Sequence, residues 1–318
     1  MLKLVLTRIA QGACVLLVVS LLTFALLAAA GGDALAALRD SPLVSEQALN
    51  EMARVYGFDQ PFAVRYWRWL ADVLRGDFGQ SFYFHAPVAA VIWPRLLRTL
   101  GLAAVALVVA WSVALTLGWQ AAARPGGWAD RASELVILLT ASTPRLVLAL
   151  LMLALLARTS LLNAGAAGPA AGGVAAGFGW LSVWPPALVL ATPLVALFLA
   201  QARDNLRAAL AEDFVRVARS KGLPETTIVW RHALRAALNP LITIFGSSLG
   251  GVVSGSVVVE TVLNWPGLGE LSVIAVRQRD VPLLLGVVLV TATAVLVGNL
   301  VADILLRLND PRLRDGSS

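Results

Sequence analysis

Apolar stretches long enough to cross a lipid bilayer recur along this chain, and no other feature of the sequence restricts its fold as much. A helix needs roughly 20 consecutive, mostly apolar residues to traverse a hydrocarbon core of about 30 Å. Such stretches lie near 9–30, 99–119, 135–157, 184–200, 238–259 and 283–306. Inside hydrocarbon every backbone N–H and C=O must find its partner within the protein, so stretches of this length form helices. The expectation is an all-α integral membrane protein with six transmembrane helices. Composition agrees: 58% of the 318 residues are hydrophobic and 14% charged, which leaves too little polar surface for a soluble domain of this size. The first stretch is too long for a signal-peptide core and lacks a small-residue cleavage site after it, so it reads as a retained span.

Charge sets the expected orientation. The net charge of +6 raises the question of nucleic acid, but the basic residues gather at span ends, where they act as topology signals. With the N-terminus inside, the cytoplasmic side collects Lys3, Arg8, Arg124, Arg131, the cluster from Arg203 to Arg235, and Arg307 to Arg314. The short outer loops then hold only Arg158, Arg277 and Arg279. Both termini are expected to be cytoplasmic, with no nucleic-acid partner and the lipid bilayer as surroundings.

The chain divides accordingly into a first transmembrane helix over 1–30, an extracytoplasmic segment over 31–94, a membrane core over 95–308 and a cytoplasmic tail over 309–318. Within the outer segment, Asp59 and Pro61 open a run from Phe62 to Leu70 in which Tyr66, Trp67 and Trp69 stand beside Arg65 and Arg68. That mixture suits a helix lying at the membrane interface, either as a cap packed on the bundle or as a docking surface. Residues 162–179 are mostly Ala and Gly and read as a pliant loop. Pro144 and Pro193 should kink or break their spans. The glycines at 246, 250, 251 and 255 offer small-residue spacings of four, which favour close helix packing.

Several chemistries are missing. The two lysines, Lys3 and Lys221, lie in no Gly-x4-Gly-Lys phosphate loop, so the chain has no nucleotide site of that kind. His85 and His232 fall on opposite sides of the expected membrane, which argues against a histidine metal site. The lone Cys14 excludes an internal disulfide. Gly246-Ser247-Ser248-Leu249-Gly250 fits the hydrolase pattern G-x-S-x-G, yet it lies in an apolar helix with no histidine after it and reads as a coincidence. Apart from Arg145, the span centres hold no evident ionisable group, unlike most ion-coupled secondary transporters.

The polar loop between the fourth and fifth spans is the most informative segment. From Arg203 to Lys221 it reads as one amphipathic helix with Leu206, Leu210, Phe214, Val217 and Ala218 at three- and four-residue spacing. Gly222 ends it, and Pro224 with Glu225 opens a second helix. Two helices joined by a Gly-Pro elbow form a stiff knob suited to contact with another protein; an amphipathic connector on the membrane surface fits the same periodicity.

The residues of this loop carry a resemblance. Asp213-Phe214-Val215-Arg216-Val217-Ala218-Arg219-Ser220-Lys221-Gly222-Leu223, followed by Arg231-His232-Ala233-Leu234-Arg235-Ala236-Ala237-Leu238-Asn239-Pro240, resembles the cytoplasmic signature of ATP-binding cassette importer permeases, in the dipeptide/oligopeptide branch. Further motifs follow in the branch's order. They are Gly76-Asp77-Phe78-Gly79-Gln80-Ser81 before the second span, Glu260-Thr261-Val262 with Trp265-Pro266-Gly267-Leu268-Gly269 after the fifth, and Asp310-Pro311-Arg312-Leu313-Arg314 at the end. The chain departs from the branch at Gly31-Gly32-Asp33-Ala34 and at Arg145-Leu146, where a small residue and an aromatic are usual.

The resemblance implies the type I importer transmembrane fold and a non-catalytic subunit. Its partners would be a second, related permease, two ATPase subunits that hold ATP and Mg, and an extracytoplasmic solute-binding protein. No cofactor is expected on this chain. The coupling loop spans 202–237, with Arg216, Ala218, Arg219, Lys221, Gly222, Leu223, Pro224 and Glu225 as the contacts to the ATPase, and Arg145 and Glu260 as candidates for the solute path. Di- or oligopeptides are the expected cargo, with nickel chelates, glutathione and sugars as the alternatives within the branch.

Overall fold

The computed structural model describes residues 2–29, 60–158, 180–224, 227–228 and 233–309. Readings that fall on 31–59 (Asp59 included), on the Ala/Gly-rich 162–179, on Glu225 and residues 229–232, and on 310–314 lie outside the described residues. Helices dominate what is described. Four of them are single helices long and apolar enough to cross a membrane, and two bent helix pairs bring the number of candidate spans to as many as six.

Two compact units are distinguishable, one of residues 1–99 and 266–296, the other of 100–265 and 297–318. In the first, α1 (Leu2–Ala29) receives α2 (Phe62–Leu74), whose start is set by Pro61. The contact buries Tyr66 and Leu70 with Phe24, and the Ser20 and Tyr66 hydroxyls share a hydrogen bond of 3.0 Å. On the opposite side of α2, Val64, Arg68 and Ala71 are exposed, the two-faced pattern that its sequence carries. A short hairpin follows, β1 (Gln80–Ser81) pairing antiparallel with β2 (Ala86–Pro87). It leads into α3 (Val88–Ala123), which begins eleven residues before the expected span; the Val88 N–H is held by the Gly79 carbonyl at 3.0 Å.

The same unit contains α9 (Leu268–Arg277) and the first part of α10 (Val281–Asn309). Val88, Ile92, Leu268, Leu271, Leu283 and Val287 form its core. Gly286 permits the approach of α10 to α3, since a Cβ there would lie 2.8 Å from Val88. The buried Asp280 is matched: it accepts from the Ser81 hydroxyl at 2.6 Å and from the Tyr83 N–H at 3.1 Å. Arg95 pairs with Glu270 at 2.9 Å. Burial holds the Glu270 carboxyl above its ordinary range, with Arg95 and Arg98 pulling the other way.

In the second unit, α4 (Trp128–Ser142) and α5 (Arg145–Arg158) occupy the third expected span. They meet at 96°, because proline removes a backbone donor and biases the preceding Thr143 to extended conformation, seen at φ −95°, ψ 118°. A 3-10 turn, Trp180–Val183, opens α6 (Trp184–Ala211). At Pro193 the break that the sequence allowed for does not form, since α6 continues through it as one helix. Packing on α4, α5 and α8 (Leu234–Val262) buries most of that stretch and holds the helix across the missing donor. Leu190, Leu194, Phe198 and Leu199 of α6 centre the core of this unit, with Leu102 and Leu241.

Candidate functional site

The polar loop is two helices in place of the single one expected over Arg203–Lys221. The span α6 itself runs on to Ala211, Glu212 is extended at φ −68°, ψ 152°, and α7 covers Asp213–Ser220. The break reverses part of the expected amphipathic pattern. Leu206 and Leu210 pack with Ala122 and Ala237 on the α6 side, whereas on α7 the buried residues are Val215 and Ala218, clustered with Ile228. Phe214 and Val217, read from periodicity as inward, are 41% and 53% exposed.

The end of α7 is built by backbone bonds. The Gly222 N–H donates to the Arg219 carbonyl at 2.9 Å and the Leu223 N–H to the Ala218 carbonyl at 3.4 Å, the paired pattern of a Schellman ending. Gly222 adopts φ +73°, a conformation that costs L-residues with a Cβ, and among the described residues beyond its chain neighbours nothing lies within 4 Å of where its Cβ would stand. The turn therefore demands glycine for its backbone alone. Arg216, Arg219, Lys221, Gly222, Leu223 and Pro224 are all exposed, and Ala218 faces inward.

Where α6 leaves the apolar region, a charge cluster fixes it to the preceding loop. Asp130, in the first turn of α4, pairs through one carboxylate oxygen with Arg203 at 2.8 Å and Arg207 at 2.5 Å. Its other oxygen accepts the Gly126 N–H at 2.8 Å. Arg203 also reaches Glu134 at 2.6 Å. Two acids against two arginines leave no net charge, and the Asp130 and Arg203 side chains are only 10% and 13% exposed. At that burial each charge needs its partners. The sequence reading took Arg203 and Arg207 as topology signals and passed over Asp130 and Glu134. The available signal was an acid just after Gly126-Gly127, at the positive end of a helix.

The two candidates for the solute path lie on different elements. Arg145 is the first residue of α5, directly after the bend at Pro144, and its guanidinium occupies the space beside Gly255 of α8 where a Cβ would stand. Gly255 was expected to serve helix packing; it seats an arginine. Glu260, one turn and a half further along α8, is fully buried, and its carbonyl accepts the Trp265 N–H at 2.8 Å. No ion pair joins Arg145 to Glu260 among the described residues. Ser248 of the hydrolase-like pattern donates to the Phe245 carbonyl at 2.8 Å, three residues back in its own helix, as helical serines commonly do.

The family described as binding-protein-dependent transport system inner membrane component matches residues 114–315. Its companion, the N-terminal region of such membrane components, matches residues 1–103. The chain is 34% identical over 307 residues to the oligopeptide transport system permease protein AppB of Bacillus subtilis (strain 168), covering 94% of this chain and 95% of that one. It is 33% identical over 323 residues to the glutathione transport system permease protein GsiC of Salmonella paratyphi A, covering 99% of each.

Proposed function

The chain belongs to the binding-protein-dependent transport system inner membrane components, and from that membership we propose that it carries di- or oligopeptides inward across the bacterial inner membrane. It is a multi-pass, non-catalytic permease subunit of an ATP-binding cassette importer. The observation that carries the peptide reading is the end-to-end likeness to an oligopeptide permease at 34% identity. Glutathione, the printed cargo of a second relative, is itself a small peptide, so both point to carboxylate-bearing peptidic solutes.

In this reading the importer comprises this chain, a second related permease, two ATPase subunits and an extracytoplasmic binding protein. The two bent pairs, α4 with α5 and the 47° bend in α8, each count as one span. That gives six, with both termini cytoplasmic and residues 95–308 as the permease core. The knob formed by α7 and Gly222 docks into an ATPase subunit. Its support is geometric, since a short helix presents Phe214, Val217 and three basic residues outward on a turn stiffened by its own backbone bonds. Glu225 of the expected contact set lies outside the described residues. The solute path runs by α5 and α8, past Arg145 and Glu260.

The test is reconstitution of the whole importer in liposomes with peptide-loaded binding protein. Peptide accumulation and peptide-stimulated ATP hydrolysis are expected together. Stimulation by a sugar or a nickel chelate, with none by peptides, would replace the cargo while keeping the class.

A further inference from the structure

Among the described residues, Arg145 is a charge without a counter-ion. Arginine stays protonated under all conditions relevant to proteins, and none of the ion pairs or hydrogen bonds among the described residues includes it. Two counts along different helices place it inside the segments read above as membrane spans. From the start of α4, 15 helical residues precede the bend, a rise of roughly 22 Å at 1.5 Å per residue. From Pro240 to Gly255 along α8 the rise is again roughly 22 Å. Both keep it within a hydrocarbon core of about 30 Å, roughly 8 Å short of the far boundary.

Charges at such depth face a partner or an aqueous cavity, because lipid exposure is costly. The seat is specific: the guanidinium lies where any side chain at position 255 would stand, so Gly255 makes the room that Arg145 occupies. Its place at the first residue of α5 adds to the positive field, since a helix start already carries partial positive charge.

We propose that Arg145 is the anion-reading group of the translocation path, pairing with a carboxylate of the passing cargo. The inference rests on the peptide reading above. A guanidinium offers two parallel N–H donors that match the two oxygens of a carboxylate, and Gly255 holds that fork against α8. The cargo supplies the missing negative charge only in transit, so the pair forms and breaks within each cycle. A permanent acid partner would instead fix the charge structurally.

The test uses the complete reconstituted importer at matched membrane abundance and reads the ratio of initial uptake rates of trialanine and trialanine amide. The binding protein's own preference is common to every variant and cancels in the comparison. Arg145→Gln should lower the ratio about tenfold, the scale of one charge-assisted hydrogen-bonded contact, while Arg145→Lys keeps most of it. Gly255→Leu, which leaves the charge but fills its seat, should lower the ratio in the same direction. An unchanged ratio in Arg145→Gln overturns the proposal. If both rates fall together, the counter-ion is an acid of the second permease; if neither falls, the residue lies off the path. Wild-type importer that moves neither peptide fails the peptide reading itself, a result distinct from either.

Discussion

Asp130 holds α4 to α6, two helices distant in sequence, through one carboxylate oxygen that serves two arginines. Arg203 and Arg207 stand one turn apart on α6, so both guanidinium groups reach the same side of α4. Asparagine at this position keeps the shape and the acceptor but removes the shared charge. Taking one partner from a largely buried pair costs on the order of 3 kcal/mol. Asp130→Asn should therefore lower the thermal unfolding midpoint of the purified protein in detergent, and Arg207→Gln added to it should cost less than it does alone. Additive losses in that cycle would mean that the two residues do not act as a pair. Arg203 keeps Glu134 as a second partner, so the cluster weakens in the variant without leaving that arginine wholly uncompensated.

At the scale of an element, α7 is decided by its two ends. Glu212 detaches it from α6, and Gly222 turns the chain away through a left-handed residue. Open space surrounds the missing Cβ of Gly222, so substitutions there act through backbone strain alone. Valine should cost about 1–2 kcal/mol locally, whereas asparagine, which tolerates this conformation better, should cost less. Gly222→Val is expected to leave membrane insertion and binding-protein docking intact while abolishing transport and peptide-stimulated ATP hydrolysis. Gly222→Asn should retain a substantial part of both. Equal stimulated activity in wild type and Gly222→Val would reduce the elbow to a connector. The exposed pair Phe214 and Val217 offers apolar surface on an otherwise charged helix, which suits the proposed contact with the ATPase subunit.

For the whole molecule, the orientation proposed above rests on the unequal distribution of arginine and lysine among short loops. Single-cysteine variants, built on a background with Cys14 replaced, should label from outside intact cells at position 83 and only after permeabilisation at positions 219 and 317. Labelling of position 219 from outside would invert the arrangement and remove the proposed contact with a cytoplasmic ATPase. The fold class, the order of the apolar segments and the family were all legible in the sequence, because each depends on neighbouring residues. Span length is a run of side chains, the turn at Gly222 is a matter of a few φ and ψ angles, and the signature loop is contiguous. The bend at Pro144 was legible for the same reason. Only the tertiary structure decided that α6 continues as one helix through Pro193, that Phe214 and Val217 are exposed, and that Gly255 seats Arg145. It also placed Asp130 between two arginines, beside an Arg203–Glu134 contact that joins residues 69 positions apart. Those outcomes depend on which helices meet, and the energy of a buried charge or a proline inside a helix is set by the partners that packing brings to it, which no local pattern encodes.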